Sequence, residues 1–579
     1  MLHRWILVAS LLAALPAQAD APAQPEDTIV MGSGAAATAG RFMVTAAHPE
    51  AVAVGHAVLE AGGNAIDAMV AVQIMLNLVE PQSSGIGGGS FLLYWDASEE
   101  RLISVDGRET APAAAGPDLF LDPATGEPMG FWDAVIGGRS VGVPGTLLLL
   151  EQLHERYGSR PWAELLEPTI ALAEAGFAAS PRLAGAIEAA VEQGLDRFPG
   201  TRAYFFDAAG APLAAGSLLR NPAFADTLRL IAAEGSSPFY GGAIGQEIVA
   251  AVTGAEGNPG GMTMGDLAAY RVIEREPVCA AYRGHAVCGM GPPSSGGVAV
   301  GQILGLLEHV DMKGYGPSPT GLHLFLEASK LAYADRALYL ADADFVDVPT
   351  AGLLDPTYLM LRARLIDHRN AMPPARAGNP PWRDRADLAP QTQETSNGTS
   401  HLSIVDAQGN IVSLTSSIET GFGSRLMAGG FLLNNELTDF SFRPETDGVP
   451  IANRVQPGKR PRSSMAPTIV LDAEGEPVLV VGSPGGARII NYVAKTIVAV
   501  LDWGMPVEDA VALGHFTNLN GDTTLEAGSD AAAMAGALEA LGHTVSAADL
   551  NSGLHVIART SAGWRGAADP RREGTVMGN

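Results

Sequence analysis

Cysteine is nearly missing. The 579-residue chain has two, Cys279 and Cys288, in the stretch EPVCAAYRGHAVCGM. Two thiols cannot build a four-ligand zinc centre, and no HxxxH or clustered His/Cys spacing adds ligands, so no metal is expected. The intervening Tyr282-Arg283-Gly284 reads as a hairpin turn that sets the two cysteines near each other on paired strands. In an oxidising compartment such a pair can bond; the spacing alone leaves it bonded or free. Basic runs are also absent, and 36 Lys and Arg stand against 63 Asp and Glu for a net charge of −27. Such a chain repels phosphate backbones, which argues against nucleic-acid binding. Aromatics make up only 6%, and no fixed-period repeat is found.

Long apolar runs are missing too, apart from the start. Residues 1–19, MLHRWILVASLLAALPAQA, combine a short basic beginning, an apolar stretch broken by Pro16 and the small-residue end Ala17-Gln18-Ala19. A membrane span needs about 20 apolar residues, and this stretch is shorter. It reads as a secretory signal cut after Ala19, leaving a soluble periplasmic or secreted protein.

What is present is ample material for a core, with 47% hydrophobic residues. Apolar residues three and four apart predict helices across 46–80, interrupted at Gly62-Gly63-Asn64. SSGIGGGSFLLYW predicts a glycine-rich turn into a strand, and RLISVDGRETAP a partner strand ending at Arg108. Residues 140–370 read as mostly helical. Residues 374–398 turn Pro-rich and polar, a linker signature. Strands are expected at 401–406, 410–418, 430–434, 467–472 and 477–482, then a helix over 488–503.

Several motifs have both a chemical and a plain reading. MGSGAAATAG (31–40) holds G-x-G-x-x-A, but a strand-like RFMVTAAHPEA follows it where a dinucleotide fold needs a helix. GIGGGS lacks a Walker lysine, so its glycines serve close backbone approach. Gly485 and Gly486, between a strand and a helix, can offer backbone N–H groups to an oxyanion or form a simple turn. Ser463 and Ser464 can accept a carboxylate or make a polar turn. Glu436 and Asp439 can hold an ammonium or sit in solvent, and Arg108 can clamp a carboxylate or lie on the surface. Asn397-Gly398 before Thr399 is either a hairpin tip or a processing site.

Together these stretches resemble one family, the gamma-glutamyltransferases, which are N-terminal nucleophile hydrolases. The resemblance is carried by AAHPEAVAVGHAVLEAGGNAIDAMVA, GIGGGSF, DGRETAP, PPSSGG, TSHLSIVDAQGN, FGSRLMAGGFLLNNELTDFS, KRPRSSMAPTIV and GSPGGARII, and it runs from about residue 30 to GAADPRREG. It implies an α/β fold, a four-layer αββα sandwich with a large helical portion in the N-terminal part. It also implies self-cleavage at Gly398–Thr399 into a large subunit (20–398) and a small one (399–579). By the same resemblance Thr399 is the nucleophile and its new amine the base, while Ser417 bonds the nucleophile's hydroxyl. Arg108, Ser463 and Ser464 would meet the α-carboxylate of a γ-glutamyl donor, and Asp439, Glu436 and Glu419 its α-ammonium. Gly485 and Gly486 would form the oxyanion hole. No cofactor is implied; the partners are glutathione or other γ-glutamyl compounds, with water, amino acids or dipeptides as acceptors.

The chain departs from the family's common pattern in three places. Ser400 follows Thr399 where a second threonine is frequent. Ser417 and Glu419 stand where Thr and Asn are frequent. The segment 441–458 is short and lacks tyrosine, so it is expected to cover the pocket incompletely and let hydrolysis compete with transfer. Two rivals remain: a cephalosporin or glutaryl acylase of the same superfamily, and a non-catalytic secreted binder of amino acids or peptides.

Overall fold

The structure, a computed structural model, describes residues 28, 31–32, 34–381, 387–391 and 398–579. The signal reading of residues 1–19, and Asn397 beside the proposed cut, lie outside the described residues. Alternating and continuous apolar runs form two seven-stranded antiparallel sheets. One runs, edge to edge, through Ala35–Ala39, Gly563–Ala568, His555–Thr560, Pro477–Gly482, Thr468–Leu471, His285–Gly289 and Val278–Tyr282. The other runs through Thr575–Gly578, Met43–Ala46, Gly398–Val405, Ile411–Glu419, Gly89–Asp96, Arg101–Gly107 and Ile273–Arg275.

The sheets face each other across a core that includes Met43, Leu93, Val405, Ile411, Ile469, Val480 and Ile557. Their outer faces are apolar as well, and each needs a cover. Helices Pro49–Glu60 and Ala65–Val79 supply it on one side, and Gly296–Leu307 and Ile489–Leu501 on the other. The result is the expected αββα sandwich. Asn64 separates the first two helices as anticipated, its side chain accepting from the backbone of Ile66 and Asp67 in a capping box.

Strands from both sides of Thr399 contribute to each sheet, and Met43–Ala46 lies between Thr575–Gly578 and Gly398–Val405. The two stretches therefore share one core and are not separate lobes. No helix follows the glycines of 31–40; the strands Ala35–Ala39 and Met43–Ala46 do, which rules out a dinucleotide unit there. The expected strand at 430–434 shrinks to Phe431–Leu432. Gly429 and Gly430, at φ 52° and 81°, turn the chain back onto Met427–Ala428, and a single 3₁₀ turn, Glu436–Asp439, follows. Cys279 and Cys288 sit directly opposite on adjacent strands, 4.0 Å apart at Cα, and are joined as a disulfide. The turn between them has Arg283 and Gly284 at φ 51° and 78°, a two-residue hairpin of the favoured hand.

Candidate active site

Thr399 stands near the head of the central strand Gly398–Val405, only 1% exposed. The ladder to Ile411–Glu419 skips a register between Gly398 and Ser400. Two residues of the partner strand, Ser417 and Ile418, thus stand opposite the single Thr399 in a β-bulge, a device that re-aims a side chain. Its hydroxyl donates to the Gly398 carbonyl at 2.5 Å, and the Ser417 hydroxyl donates to the same oxygen at 2.6 Å. The two hydroxyls are 3.4 Å apart. Ser417 is held in turn by the Glu419 backbone N–H, which donates to it at 2.8 Å. Gly398 is tightly enclosed: a Cβ there would lie 2.6 Å from the Glu419 carbonyl oxygen. The glycines of GIGGGS permit the close approach expected of them, since a Cβ on Gly88 would fall 1.9 Å from the Ser417 carbonyl oxygen.

Thr399 and Ser417 open onto a narrow pocket, lined also by Arg108, Arg336, Gln391, Glu436, Asp439, Arg462, Ser463, Ser464 and Gly486. Gly486 reaches the lining, at φ 58°; Gly485, at φ 130°, makes the turn just behind it and leads into the helix Ile489–Leu501. Ser463 is fixed by its backbone, donating to the Pro293 carbonyl at 3.1 Å, while Ser464 accepts from Arg336 at 2.7 Å. No residue of 441–458 is among the pocket lining. That segment is a tight hairpin, Glu445–Thr446 paired with Val449–Pro450. It is tied down where Phe442 stacks on Phe120 and Ala389 bridges to Ile451.

Arg108 follows the strand Arg101–Gly107, as anticipated, but it is far from the surface and already paired. Its guanidinium is bound by Glu436 and Asp439, and Glu109 lies 3.8 Å away. The carboxylates expected to hold an ammonium therefore hold the arginine as well. Carboxylates still outnumber it. Glu109, Glu436 and Glu419 are 0–1% exposed, and each keeps at least one oxygen without a hydrogen-bond partner. Burial pushes Glu436 up to about 7, with Arg108 pulling the other way. Burial and then Glu436 raise Glu109, and burial and then Asp439 raise Glu419. A cation entering beside them would satisfy those oxygens. Glu419 adopts φ 79°, strained for a non-glycine residue, and Asn435 donates to its carboxylate at 2.6 Å.

Sequence reasoning missed Glu109, which is adjacent to Arg108, as well as Asn435, Arg336, Gln391 and Arg572. Glu109 and Asn435 were within reach, since they adjoin Arg108 in DGRETAP and Glu436 in NNELTDF; Arg336, Gln391 and Arg572 are joined to the site only by the fold. The fold also brings His323, Glu327 and His543 together, a cluster with no HxxxH signal. Its atoms are engaged among protein groups: His323 contacts His543 at 2.8 Å and the Asp367 carbonyl at 2.7 Å, and Glu327 pairs with Lys330 at 2.9 Å.

A helix–sheet–sheet–helix sandwich with a buried threonine at the head of a central strand defines the N-terminal nucleophile hydrolase class. Within it, the gamma-glutamyltranspeptidase family model matches residues 51–579, and the chain belongs to that family. It is 38% identical over 550 residues to the glutathione hydrolase proenzyme of Bacillus subtilis (strain 168), covering 93% of this chain and 91% of that protein. It is 36% identical over 550 residues to the acylase ACY 1 proenzyme of Pseudomonas sp. (strain SE83), covering 93% and 94%. Among solved structures it is similar to the cephalosporin acylase of Bacillus halodurans, with TM-score 0.81, 26% identity and 99% of each chain covered.

Proposed function

We propose that the protein is a self-cleaving gamma-glutamyltransferase and glutathione hydrolase, exported to the periplasm or beyond. The observation that carries this is the Thr399 hydroxyl, 2.5 Å from the Gly398 carbonyl oxygen, with Ser417 donating to that same oxygen. In self-cleavage the Thr399 oxygen attacks the Gly398 carbonyl carbon, and Ser417 stabilises charge on the carbonyl oxygen. The C–N bond breaks, the hydroxyl proton passes to the departing Thr399 nitrogen, and an ester links Gly398 to the Thr399 side chain. Water hydrolyses the ester, leaving a large subunit ending at Gly398 and a small one beginning at Thr399. The new α-amine, with a reference pKa of about 7.7–8.0, is a suitable base at neutral pH.

In turnover the Thr399 hydroxyl attacks the donor's γ-carbonyl while the amine takes its proton and passes it to the leaving nitrogen. The γ-glutamyl ester then yields to water or to an acceptor amine. Ser463, Ser464 and the outer edge of Arg108 receive the α-carboxylate; Asp439, Glu436 and Glu419 receive the α-ammonium. Gly486, with Gly485 behind it, presents backbone N–H groups to the oxyanion. The pinned hairpin at 441–458 leaves the mouth open to water, so hydrolysis competes with transfer near neutral pH.

Likeness to acylases favours a second reading, hydrolysis of glutaryl or cephalosporin amides. The unmatched carboxylates weigh against it, because a glutaryl chain brings a carboxylate and no ammonium. The test is a denaturing gel with a glutathione-breakdown assay, with and without glycylglycine. Two subunits and released glutamate are expected; one uncut chain with no turnover would instead support a binder.

A further inference from the structure

We propose that Arg572 is a positioning residue for the nucleophile, gripping the Thr399 carbonyl and so setting where the Thr399 hydroxyl and its cleavage-born amine stand. The inference rests on Thr399 being the nucleophile. Arg572 is fully buried and donates to the Thr399 carbonyl at 2.9 Å. The need for such a donor is written in the sheet. Strand Gly398–Val405 pairs with Met43–Ala46 only from Leu402 onward, and on the other side Thr399 falls at the bulge of the partner strand, where no residue is its register partner. Its carbonyl is left out of both ladders, and a buried carbonyl needs a partner.

Arg572 arrives from the loop between Gly563–Ala568 and Thr575–Gly578, strands that belong to different sheets. Its stem passes over Gly553, where a Cβ would lie 2.8 Å from the Arg572 Cδ. The guanidinium is fixed on its far side by Asn551, which accepts from Nε at 2.8 Å, and Glu80 lies 3.7 Å from Nη1. Glu80 also accepts from the Ser400 hydroxyl at 2.6 Å and is bound by Arg182. Residues 399 and 400 are therefore held by one linked set, the first through Arg572 and the second through Glu80. Fixing the carbonyl fixes the rotation about the Thr399 Cα–C bond, and with it the directions of Oγ1 and N. The guanidinium also puts positive charge close to the new amine, disfavouring its protonated form; Glu80 offsets part of this.

A simple packing role would lower the melting temperature and nothing else. The test compares Arg572→Lys with Arg572→Met, reading the cleavage rate of purified precursor, the melting temperature, and the kcat, KM and pH profile of cleaved enzyme. Arg572→Met is expected to lower kcat or the cleavage rate roughly 10- to 100-fold with KM for a γ-glutamyl donor within about twofold. The acidic limb of its kcat/KM profile should move to higher pH, and Arg572→Lys should recover most of the loss. Wild-type rates and pH profile in Arg572→Met would overturn the inference, as would a lysine variant no better than methionine. If Thr399→Ala stays active, the proposed function itself fails; if Thr399→Ala is dead and Arg572→Met is normal, only this inference fails.

Discussion

The two ends of the pocket are built in opposite ways. At the nucleophile end, Thr399, Ser417 and the Gly398 carbonyl are neutral groups within one hairpin, fixed by a bulge and by glycines that admit no side chain. At the head-group end, the Arg108 guanidinium faces four carboxyl groups, Glu109, Glu419, Glu436 and Asp439, the first over 300 residues from the others in sequence. Backbone geometry secures the first end; charge balance secures the second. The difference separates chemistry from recognition. Changes at the first end should stop reactions, and changes at the second should alter which donor is held.

The largest effect is expected at the neutral end. Thr399→Ala should leave one full-length chain with activity down by about 10⁴-fold or more, since nucleophile and base vanish together. A denaturing gel and a donor assay read this directly, and two subunits cut at Gly398–Thr399 in that variant would break the assignment.

At the charged end, Arg108→Ala should still be cleaved. Losing a charge-assisted contact in a buried site costs roughly 2–5 kcal/mol, tens- to thousands-fold in KM. It also removes the arginine bound to the buried Glu436, so a lower melting temperature should accompany the KM change. An unchanged KM for glutathione would remove Arg108 from recognition.

Ser417→Ala sharpens the contrast. Removing a donor to the Gly398 carbonyl should slow self-cleavage by about 100-fold, read as the half-time of purified precursor. Normal cleavage would leave Ser417 a structural hydroxyl only.

The smallest effect is a pair of opposite pH slopes. Burial holds His555, beneath the nucleophile strand, down at about 3. Its stabilisation is full above the unfolded value of about 6.5 and falls by up to about 1.4 kcal/mol per pH unit as pH drops toward 3. Glu436, raised to about 7, has the reverse sign: its contribution is full below the unfolded carboxyl value near 4.5 and is lost as pH rises through about 7. Melting curves from pH 7 to 5 should fall less steeply in His555→Gln and more steeply in Glu436→Gln. Unchanged slopes would show that neither group titrates with folding.

The legibility of the two ends followed from the same contrast. Thr399 and Ser417 lie 18 residues apart in one antiparallel hairpin whose strands the local pattern marked, while the tie between the two hydroxyls came from the family resemblance. The helix break at Asn64 and the hairpin at Arg283-Gly284 were equally local. Family motifs marked Arg108, Glu436, Asp439, Ser463 and Ser464 as site residues, and the fold gathers all five around one pocket. What no local pattern contained was their pairing. That Arg108 is engaged by Glu436 and Asp439, and that Glu109 is buried with both oxygens lacking hydrogen bonds, depends on the packing of distant segments. Arg572 was hidden for the same reason, 173 residues from Thr399. The strand at 430–434 was overcalled because two glycines with positive φ overrode an apolar run.

The most direct measurement compares two donors that differ in one group, γ-glutamyl-p-nitroanilide and glutaryl-p-nitroanilide, on the same cleaved enzyme. They present the same scissile amide to Thr399 and differ by the α-ammonium that the unmatched carboxylates are argued to bind. The account predicts kcat/KM higher for the glutamyl donor by roughly 30- to several thousand-fold, the equivalent of 2–5 kcal/mol. Equal rates, or a preference for glutaryl, would contradict it and make the protein an acylase.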